Sequence, residues 1–295
     1  MPSHCNGSEL IKTTGGVTWL WRPWVPRGLL TILAGEAGTG KSALALHLAN
    51  CVAGGHTWPD LRGMAPKARV LIADCEGAQP AWASRMQSWN CDVASLLFWG
   101  EAGLGRLQLD SPEQLAEARA LVQAEGVALV IVDSLAPALG KVSATSDKAW
   151  RILEPWVELA RDAPCGLLIV YHMLPKANTT KALARIAGSW AVTAAARSVI
   201  GIEQSQPGGP AKLSVIKSNL APPPPPLVMS WVQGKLAFAP MGVQFGEAAP
   251  SPTVAPVVQQ EAPTAPQSGP QPPPGLSLHQ QELWRGAYNA TYLAR

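Results

Sequence analysis

The chain lacks the features that mark secreted, membrane-spanning and zinc-binding proteins. Its five cysteines are scattered, with no C-x-x-C pair, which argues against a disulfide framework or a zinc site and indicates a reducing compartment. No apolar run approaches the length of about eighteen residues that a membrane span requires. The first residues also lack the basic and apolar regions of a secretory signal. These absences predict a cytoplasmic protein without a membrane segment.

Neither positive nor negative charge predominates in the chain. The formal net charge is +3 over 295 residues, so composition alone does not argue for nucleic acid, and any such site must be local. Apolar residues make up 47% of the chain, which is enough for the core of one large α/β domain. No internal repeat is evident in the sequence.

One motif carries most of the functional information. The segment reads Gly35-Glu36-Ala37-Gly38-Thr39-Gly40-Lys41-Ser42 and fits G-x-x-x-x-G-K-[ST] without a mismatch. A strand-like apolar segment, 29–34, precedes it and a helix-forming segment, 42–49, follows it. Backbone N–H groups and the helix N-terminus then form a cradle for phosphates. We therefore expect ATP to bind here, with Lys41 at the β- and γ-phosphates and the Ser42 hydroxyl on Mg²⁺.

Strand and helix patterns alternate beyond this motif. Further strands are predicted at 69–73, 95–99, 127–132 and 166–171, and helices at 78–89, 111–125 and 147–162. Strands that are apolar on both faces and separated by helices predict a mostly parallel sheet flanked by helices. Shorter strands at hairpin spacing predict an antiparallel C-terminal edge at 198–203, 212–217, 227–232 and 235–239.

Composition changes near both ends of the chain. Residues 1–16 are polar and predict a flexible arm ahead of a domain over 17–239. Residues 240–275 are rich in Pro, Gln and Ala and predict a disordered linker. The last stretch, 276–295, is either a short helix that docks on a partner or the opening of a region that the chain does not complete.

A tryptophan-rich segment leads into the first strand of the predicted domain. It reads Trp19-Leu20-Trp21-Arg22-Pro23-Trp24. These side chains could form a platform on which bases stack. The interpretation that burial statistics favour is a cap packed on the domain edge or on a neighbouring subunit.

Carboxylates follow two of the predicted strands. Asp133 ends strand 127–132 in the Walker B arrangement and would hold Mg²⁺. The next residue is Ser134 rather than an acid, so a carboxylate that activates water must come from elsewhere. We favour Glu76, after strand 69–73, as general base or water-orienting group, because ligands lie at the carboxyl ends of parallel strands. His172 ends a third strand and either senses the γ-phosphate or is an ordinary strand-end histidine.

Basic residues suggest two further sites. Lys176, Lys181 and Arg185 stand in an acid-free stretch and predict a loop that contacts the backbone of single-stranded DNA, against the alternative of an ordinary solvated loop. Arg197 and Lys217 are candidates for a cation placed on the γ-phosphate of a neighbouring subunit. The alternative for both is surface charge near an edge strand.

These motifs resemble those of the RecA-like, AAA-family P-loop ATPases of plasmids and phages. The likeness is strongest to hexameric replicative helicases of the RepA type, and DnaB-like and KaiC- or RadA-like ATPases are more distant. It covers about residues 17–239. Besides the P-loop and the tryptophan segment, it rests on the stretches 52–60, 72–77, 129–134, 188–197 and 215–222.

The resemblance implies a RecA-like core that works as a homo-oligomeric ring, commonly a hexamer, with ATP between subunits and pore loops on single-stranded DNA. It assigns water activation to Glu76, metal binding to Asp133 and γ-phosphate sensing to His172. It assigns to Arg197 and Lys217 the role of a finger, a cation that reaches the γ-phosphate bound to the neighbouring subunit. One departure is Lys217-Ser218-Asn219, where DnaB-like members carry Lys-x-Arg.

We therefore expect a DNA-dependent ATPase, a replicative helicase or helicase-like motor of a mobile element. An ATP-gated DNA-binding or regulatory protein without motor activity is the alternative. A small-molecule kinase is a weaker one, because no lid or acceptor motif is evident.

Overall fold

The fold is that of a computed structural model, which describes residues 4–103, 105–144, 146, 148–173, 182–186 and 190–242. The predicted linker, beyond residue 242, and the predicted tail lie outside the described residues. In the described ranges no helix combines the length and the hydrophobicity that crossing a membrane would take.

A nine-stranded sheet forms the centre of the described part of the chain. Its strands are β3 (Leu30–Gly35), β4 (Arg69–Asp74), β5 (Leu96–Phe98), β6 (Val127–Asp133), β7 (Gly166–His172), β8 (Ser198–Gln204), β9 (Ala211–Ser218), β10 (Leu227–Val232) and β11 (Lys235–Pro240). A separate hairpin pairs β1 (Trp19–Trp21) with β2 (Val25–Pro26).

The strand order is β11-β10-β9-β8-β3-β7-β6-β4-β5. The six strands from β8 to β5 run parallel, and β8 to β11 pair antiparallel. The predicted α/β core with a mostly parallel sheet and an antiparallel C-terminal edge is therefore confirmed. Because β3 and β6 are internal, their side chains are buried along the whole strand, as their continuous apolar runs predict.

Helices cover both faces of this sheet. They are α2 (Lys41–Gly54), α3 (Gln79–Trp89), α4 (Pro112–Ala124), α5 (Leu135–Ala138), α6 (Lys148–Asp162) and α7 (Trp190–Ala195), whereas α1 (Gly7–Thr14) buries no side chain. Leu44 of α2 and Trp82 of α3 belong to the core on one face, while Val122 of α4 and Trp156 of α6 belong to the core on the other. Helix α4 starts as its sequence predicts, since the Ser111 hydroxyl accepts the N–H of the third helical residue.

The tryptophan-rich lead-in is part of the core. Trp21 and Trp24 are fully buried, and their rings stack at a centroid distance of 4.6 Å. Trp58 stacks on the other side of Trp21 at 5.5 Å. The base-stacking interpretation of Trp21 and Trp24 is thus wrong, because neither ring presents a face to solvent; they cap the domain edge.

The predicted arm over residues 1–16 contains a helix. Asn6 accepts the N–H of Glu9, and the Glu9 carboxylate accepts the N–H of Asn6. This capping box starts α1, whose side chains are all exposed. The sequence prediction of a loose arm overlooked this pair.

Candidate nucleotide-binding and hydrolysis site

The P-loop joins β3 to α2 as predicted. Gly38 and Gly40 have φ of 77° and 89°, values that only glycine adopts easily. A Cβ on Gly35 would lie 2.6 Å from Oγ1 of Thr39, so the close turn also requires glycine there. The ammonium of Lys41 donates to the carbonyl oxygen of Glu36 at 2.8 Å. The loop thus has the glycine geometry that lets backbone N–H groups approach phosphates.

The sheet order brings three of the predicted site residues, Glu76, Asp133 and His172, to the carboxyl ends of neighbouring strands. Strand β6 lies between β4 and β7, and Asp74 is in register with Asp133. Strand β7 adjoins β3, with His172 in register with Gly35. A cavity of about 420 Å³ at these carboxyl ends is lined by Lys41, Ser42, Glu76, Asp133 and His172, among others.

Glu76 is held by two side chains of the neighbouring strands. Its Oε1 accepts a hydrogen bond from the Ser134 hydroxyl at 2.6 Å and lies 3.2 Å from Nε2 of His172. Partial burial opposes ionisation, but the hydrogen bonds from Ser134 and His172 and the charges of His172 and Lys41 outweigh it and lower the pKa of Glu76. The carboxylate is therefore ionised near neutral pH, as a proton acceptor must be.

Asp133 fits a magnesium ligand. It is almost fully buried, and burial, reinforced by the nearby Glu76 and Asp74, raises its pKa to about 6, although a hydrogen bond with Ser42 and the charge of Lys41 act in the other direction. Carboxylates that raise one another's pKa in this way are stabilised by a nearby cation. A hydroxyl and a carboxylate beside a phosphate cradle suit Mg²⁺, which completes its shell with phosphate oxygens and water. Ser42 and Asp133 would hold the ion.

Asp74 has a structural function that the sequence did not reveal. Its buried carboxylate accepts the backbone N–H groups of Glu76 at 3.0 Å and of Ala78 at 2.5 Å. The turn between β4 and α3 is therefore tied to the sheet, and Glu76 leaves it in a fixed direction. A short acid directly before a turn is the signal that could have predicted this.

Two residues that line the cavity were missed by sequence analysis. Arg85 comes from α3 and Trp231 from β10. Trp231 is 44% exposed, and its ring centroid lies 6.1 Å from that of Trp89. These two elements are distant in sequence, so no motif could link them to the P-loop.

The two candidate fingers, Arg197 and Lys217, differ in whether their side chains are bonded within the chain or exposed. The ammonium of Lys217 donates to the carbonyl oxygens of Thr193 and of Ala196, the latter at 2.8 Å, at the C-terminal end of α7. Burial, together with the charge of Arg197, lowers the pKa of Lys217. Arg197 has an exposed side chain, while its backbone is fixed by bonds to Leu30 and Asn219.

The predicted DNA loop requires one correction. Lys176 and Lys181 lie outside the described residues. Arg185 has a side chain only 1% exposed and forms ion pairs with Glu36 and Glu203. A guanidinium buried between two carboxylates is not available to a DNA phosphate, so the prediction for Arg185 is wrong.

Comparison with known proteins agrees with this geometry. The profile of a family described as AAA domain, AAA_25, matches residues 8–177, more than half of the chain. The chain belongs to the AAA_25 family. It is therefore a RecA-like P-loop ATPase of that family, with the fold that its strand order shows.

One solved structure extends the likeness of fold beyond the AAA_25 match. The crystal structure of the RadB recombinase aligns with a TM-score of 0.50 at 14% identity, over 72% of this chain and 91% of that one. At this identity the likeness concerns the fold alone. None of the curated protein sequences compared with the chain matches it.

Proposed function

We propose that the protein hydrolyses Mg²⁺-ATP in a DNA-stimulated, ring-forming assembly, as a replicative helicase or helicase-like motor of a mobile element. The observation that carries the hydrolytic part is the convergence of Lys41, Glu76 and Asp133 on one cavity. It supplies a cation for the phosphates, a metal ligand and an ionised carboxylate, which are the parts that phosphoryl transfer to water needs.

Each side chain then has a separate task. Lys41 keeps its bond to the carbonyl of Glu36 and pairs with the β- and γ-phosphates through the other N–H donors of its ammonium. Glu76 accepts a proton from water as the water oxygen attacks the γ-phosphorus, and ADP leaves with the β–γ bridging oxygen. His172, beside Glu76, is placed to hydrogen-bond the γ-phosphate. Ser42 and Asp133 would hold Mg²⁺, which would neutralise charge on the phosphates.

The nucleoside would extend toward Arg85 and Trp231. A planar guanidinium and an exposed indole both stack well on a purine. This end of the cavity supports a nucleotide rather than inorganic phosphate as the ligand.

Basic residues that do not line the cavity support ring formation and DNA binding. The backbone of Arg197 is fixed and its side chain is exposed, as a finger reaching a neighbouring subunit requires. The basic stretch with Lys176 and Lys181 directly follows β7 and suits the DNA backbone. The resemblance to hexameric helicases of the RepA type favours six subunits.

A specific observation favours the alternative of an ATP-gated DNA-binding or regulatory protein without motor activity. Lys217 is bonded within its own protomer, and Asn219 stands where DnaB-like members carry Arg. The interface would then have fewer trans cations, and ATP would control assembly more than movement.

ATP turnover with and without single-stranded DNA tests the proposal. We expect stimulation at low salt, together with a larger particle mass in Mg²⁺-ATP and an oligonucleotide. Turnover without any DNA effect contradicts the DNA-dependent part, and ATP-driven strand displacement eliminates the regulatory alternative.

A further inference from the structure

The buried guanidinium of Arg185 lies next to the P-loop but outside the catalytic cavity. It forms ion pairs with Glu36, the second residue of the P-loop, and with Glu203 at the end of β8, the latter at 2.8 Å. A buried charge is tolerated only when it is paired. Neither the motif nor the proposed catalytic cycle accounts for this arrangement.

The two carboxylates are adjacent because of the sheet register. Gly35 of β3 pairs with Ile202 of β8 in the parallel ladder, so Glu36 and Glu203 are the next residues on neighbouring strands. Two carboxylates that pair with the same guanidinium repel each other. Arg185 lies between them and holds the start of the P-loop against β8.

Glu36 also connects this ion pair to the phosphate-binding lysine. Its backbone carbonyl accepts the Lys41 ammonium at 2.8 Å and the Thr39 hydroxyl at 2.9 Å. The side chain of Glu36 is thus fixed by Arg185, while its main chain positions Lys41. A displacement of Glu36 would move the ammonium that the phosphates require.

A cavity adjoins the P-loop on the side that faces the β8–β9 turn. Residues 36–39 border a cavity of about 320 Å³ that they share with Gln204–Gly208 of the β8–β9 turn. Space beside a loop lowers the cost of displacing it. The ion pair with Arg185 therefore contributes strongly to the position of the loop.

We propose that Arg185 is a positioning residue that sets nucleotide affinity by holding Glu36, and through it Lys41, in the phosphate-binding geometry. The inference rests on the proposed function, because it concerns the same nucleotide site. Arg185 ends the 3₁₀ turn Ala182–Arg185, which forms the C-terminal flank of the predicted DNA loop. His172 precedes that loop and contacts Glu76, so both flanks of the loop reach the nucleotide site.

Four variants test this assignment: R185M, R185K, E36Q and, as matched control, E203Q. The readouts are the dissociation constant of N-methylanthraniloyl-ADP, kcat and KM for ATP, and the thermal unfolding temperature. Glu203 pairs with the same guanidinium but has no bond to the P-loop backbone. Its variant therefore reports the stability effect alone.

We expect R185M and E36Q to weaken binding of the analogue by about tenfold or more, the usual effect of losing a hydrogen bond between charged groups. KM should rise more than kcat falls. E203Q should lower the unfolding temperature, because it removes one partner of the buried guanidinium. It should change the dissociation constant less than about twofold, because Arg185 still holds Glu36. The double variant R185M/E36Q should bind no more weakly than the weaker single variant, because both remove one interaction.

Equal losses of stability in R185M and E203Q, with binding like that of the wild type in both, would overturn the inference. R185M is the variant most at risk of misfolding, and R185K and E36Q then decide, since each retains one partner of the ion pair. Wild-type binding of the analogue is the reference for all comparisons. If the wild type itself fails to bind, the proposed function fails; if it binds and E36Q binds equally well, only the role of Arg185 fails.

Discussion

The hydroxyl of Ser134 donates a 2.6 Å hydrogen bond to Oε1 of Glu76. Ser134 directly follows Asp133, which ends the strand next to the one that precedes Glu76. The residue that follows the candidate metal ligand Asp133 thus holds the candidate general base by a hydrogen bond between adjacent strand ends. The position after Asp133 therefore orients the carboxylate of Glu76.

Replacing Glu76 by Gln should separate binding from hydrolysis. The variant keeps the size of the side chain and loses its proton-accepting charge, so we expect kcat to fall by about 10²- to 10⁴-fold. The dissociation constant for ATP should stay close to that of the wild type, because Lys41 and the loop N–H groups are unchanged. Steady-state turnover and equilibrium titration measure the two effects.

The matched control is E117Q, on the exposed surface of α4. It makes the same chemical change away from the cavity and should leave both quantities unchanged. Normal hydrolysis by E76Q would show that another group activates water, and the assignment of Glu76 would be wrong.

Ser134 should set the pH at which Glu76 becomes active. Its hydrogen bond is the leading contribution that lowers the pKa of Glu76 against the opposing effect of burial. S134A removes it, so the pKa of Glu76 rises and the acid limb of the kcat profile moves to higher pH. Saturating Mg²⁺ keeps Asp133 ionised during the measurement. An S134A profile that overlies the wild-type profile contradicts the hydrogen bond's role.

Much of the site could be predicted because it depends on local motifs and one topological rule. The P-loop pattern locates Lys41 and Ser42, and strand ends locate Glu76, Asp133 and His172 at one edge of a parallel sheet. No assumption about distant packing was needed.

What could not be predicted depends on contacts between distant segments. Arg185 is buried and pairs with Glu36 and Glu203, two residues that the register of β3 and β8 brings together. Lys217 is bonded to the end of α7, and a basic residue in the sequence looks the same whether it caps a helix or reaches a neighbour. Trp21 is covered by Trp58, a pairing that no local pattern encodes.

Asp133 makes the protein without Mg²⁺ sensitive to pH. Its pKa is raised to about 6 in the folded chain, from 3.8, first by burial and then by the charges of Glu76 and Asp74. Between these values the folded state binds more protons than the unfolded state, so stability falls as pH rises and the full cost is present above about pH 6. D133N removes this cost.

We expect D133N to increase the free energy of unfolding by at most about 3 kcal/mol at pH 7.5 and by less than about 1 kcal/mol at pH 4, in EDTA. Denaturant titrations at the two pH values measure the difference. The same variant should lose Mg²⁺-dependent ATP hydrolysis. Equal stability of the two proteins at both pH values would show that Asp133 is not destabilised by its surroundings.

Arg197 and Lys217 should have separable effects although they are close to each other. The Lys217 ammonium bonds the carbonyl oxygens at the end of α7, so K217M should lower the free energy of unfolding by about 1 kcal/mol and the melting temperature by about 2–4 °C. The Arg197 side chain is exposed, so R197M should leave stability unchanged and, if it acts as a trans finger, lower turnover by about 10³-fold.

Mixing two variants tests whether Arg197 acts across a subunit interface. In a mixture of R197M and K41A, some interfaces combine the intact P-loop of R197M with the intact Arg197 of K41A. Turnover should therefore recover in the mixture, whereas K41A mixed with a K41A/R197M double variant should stay inactive because no interface holds both groups. Recovery requires that Arg197 act on a neighbour's nucleotide; wild-type turnover by R197M, or no recovery in the mixture, means that it does not.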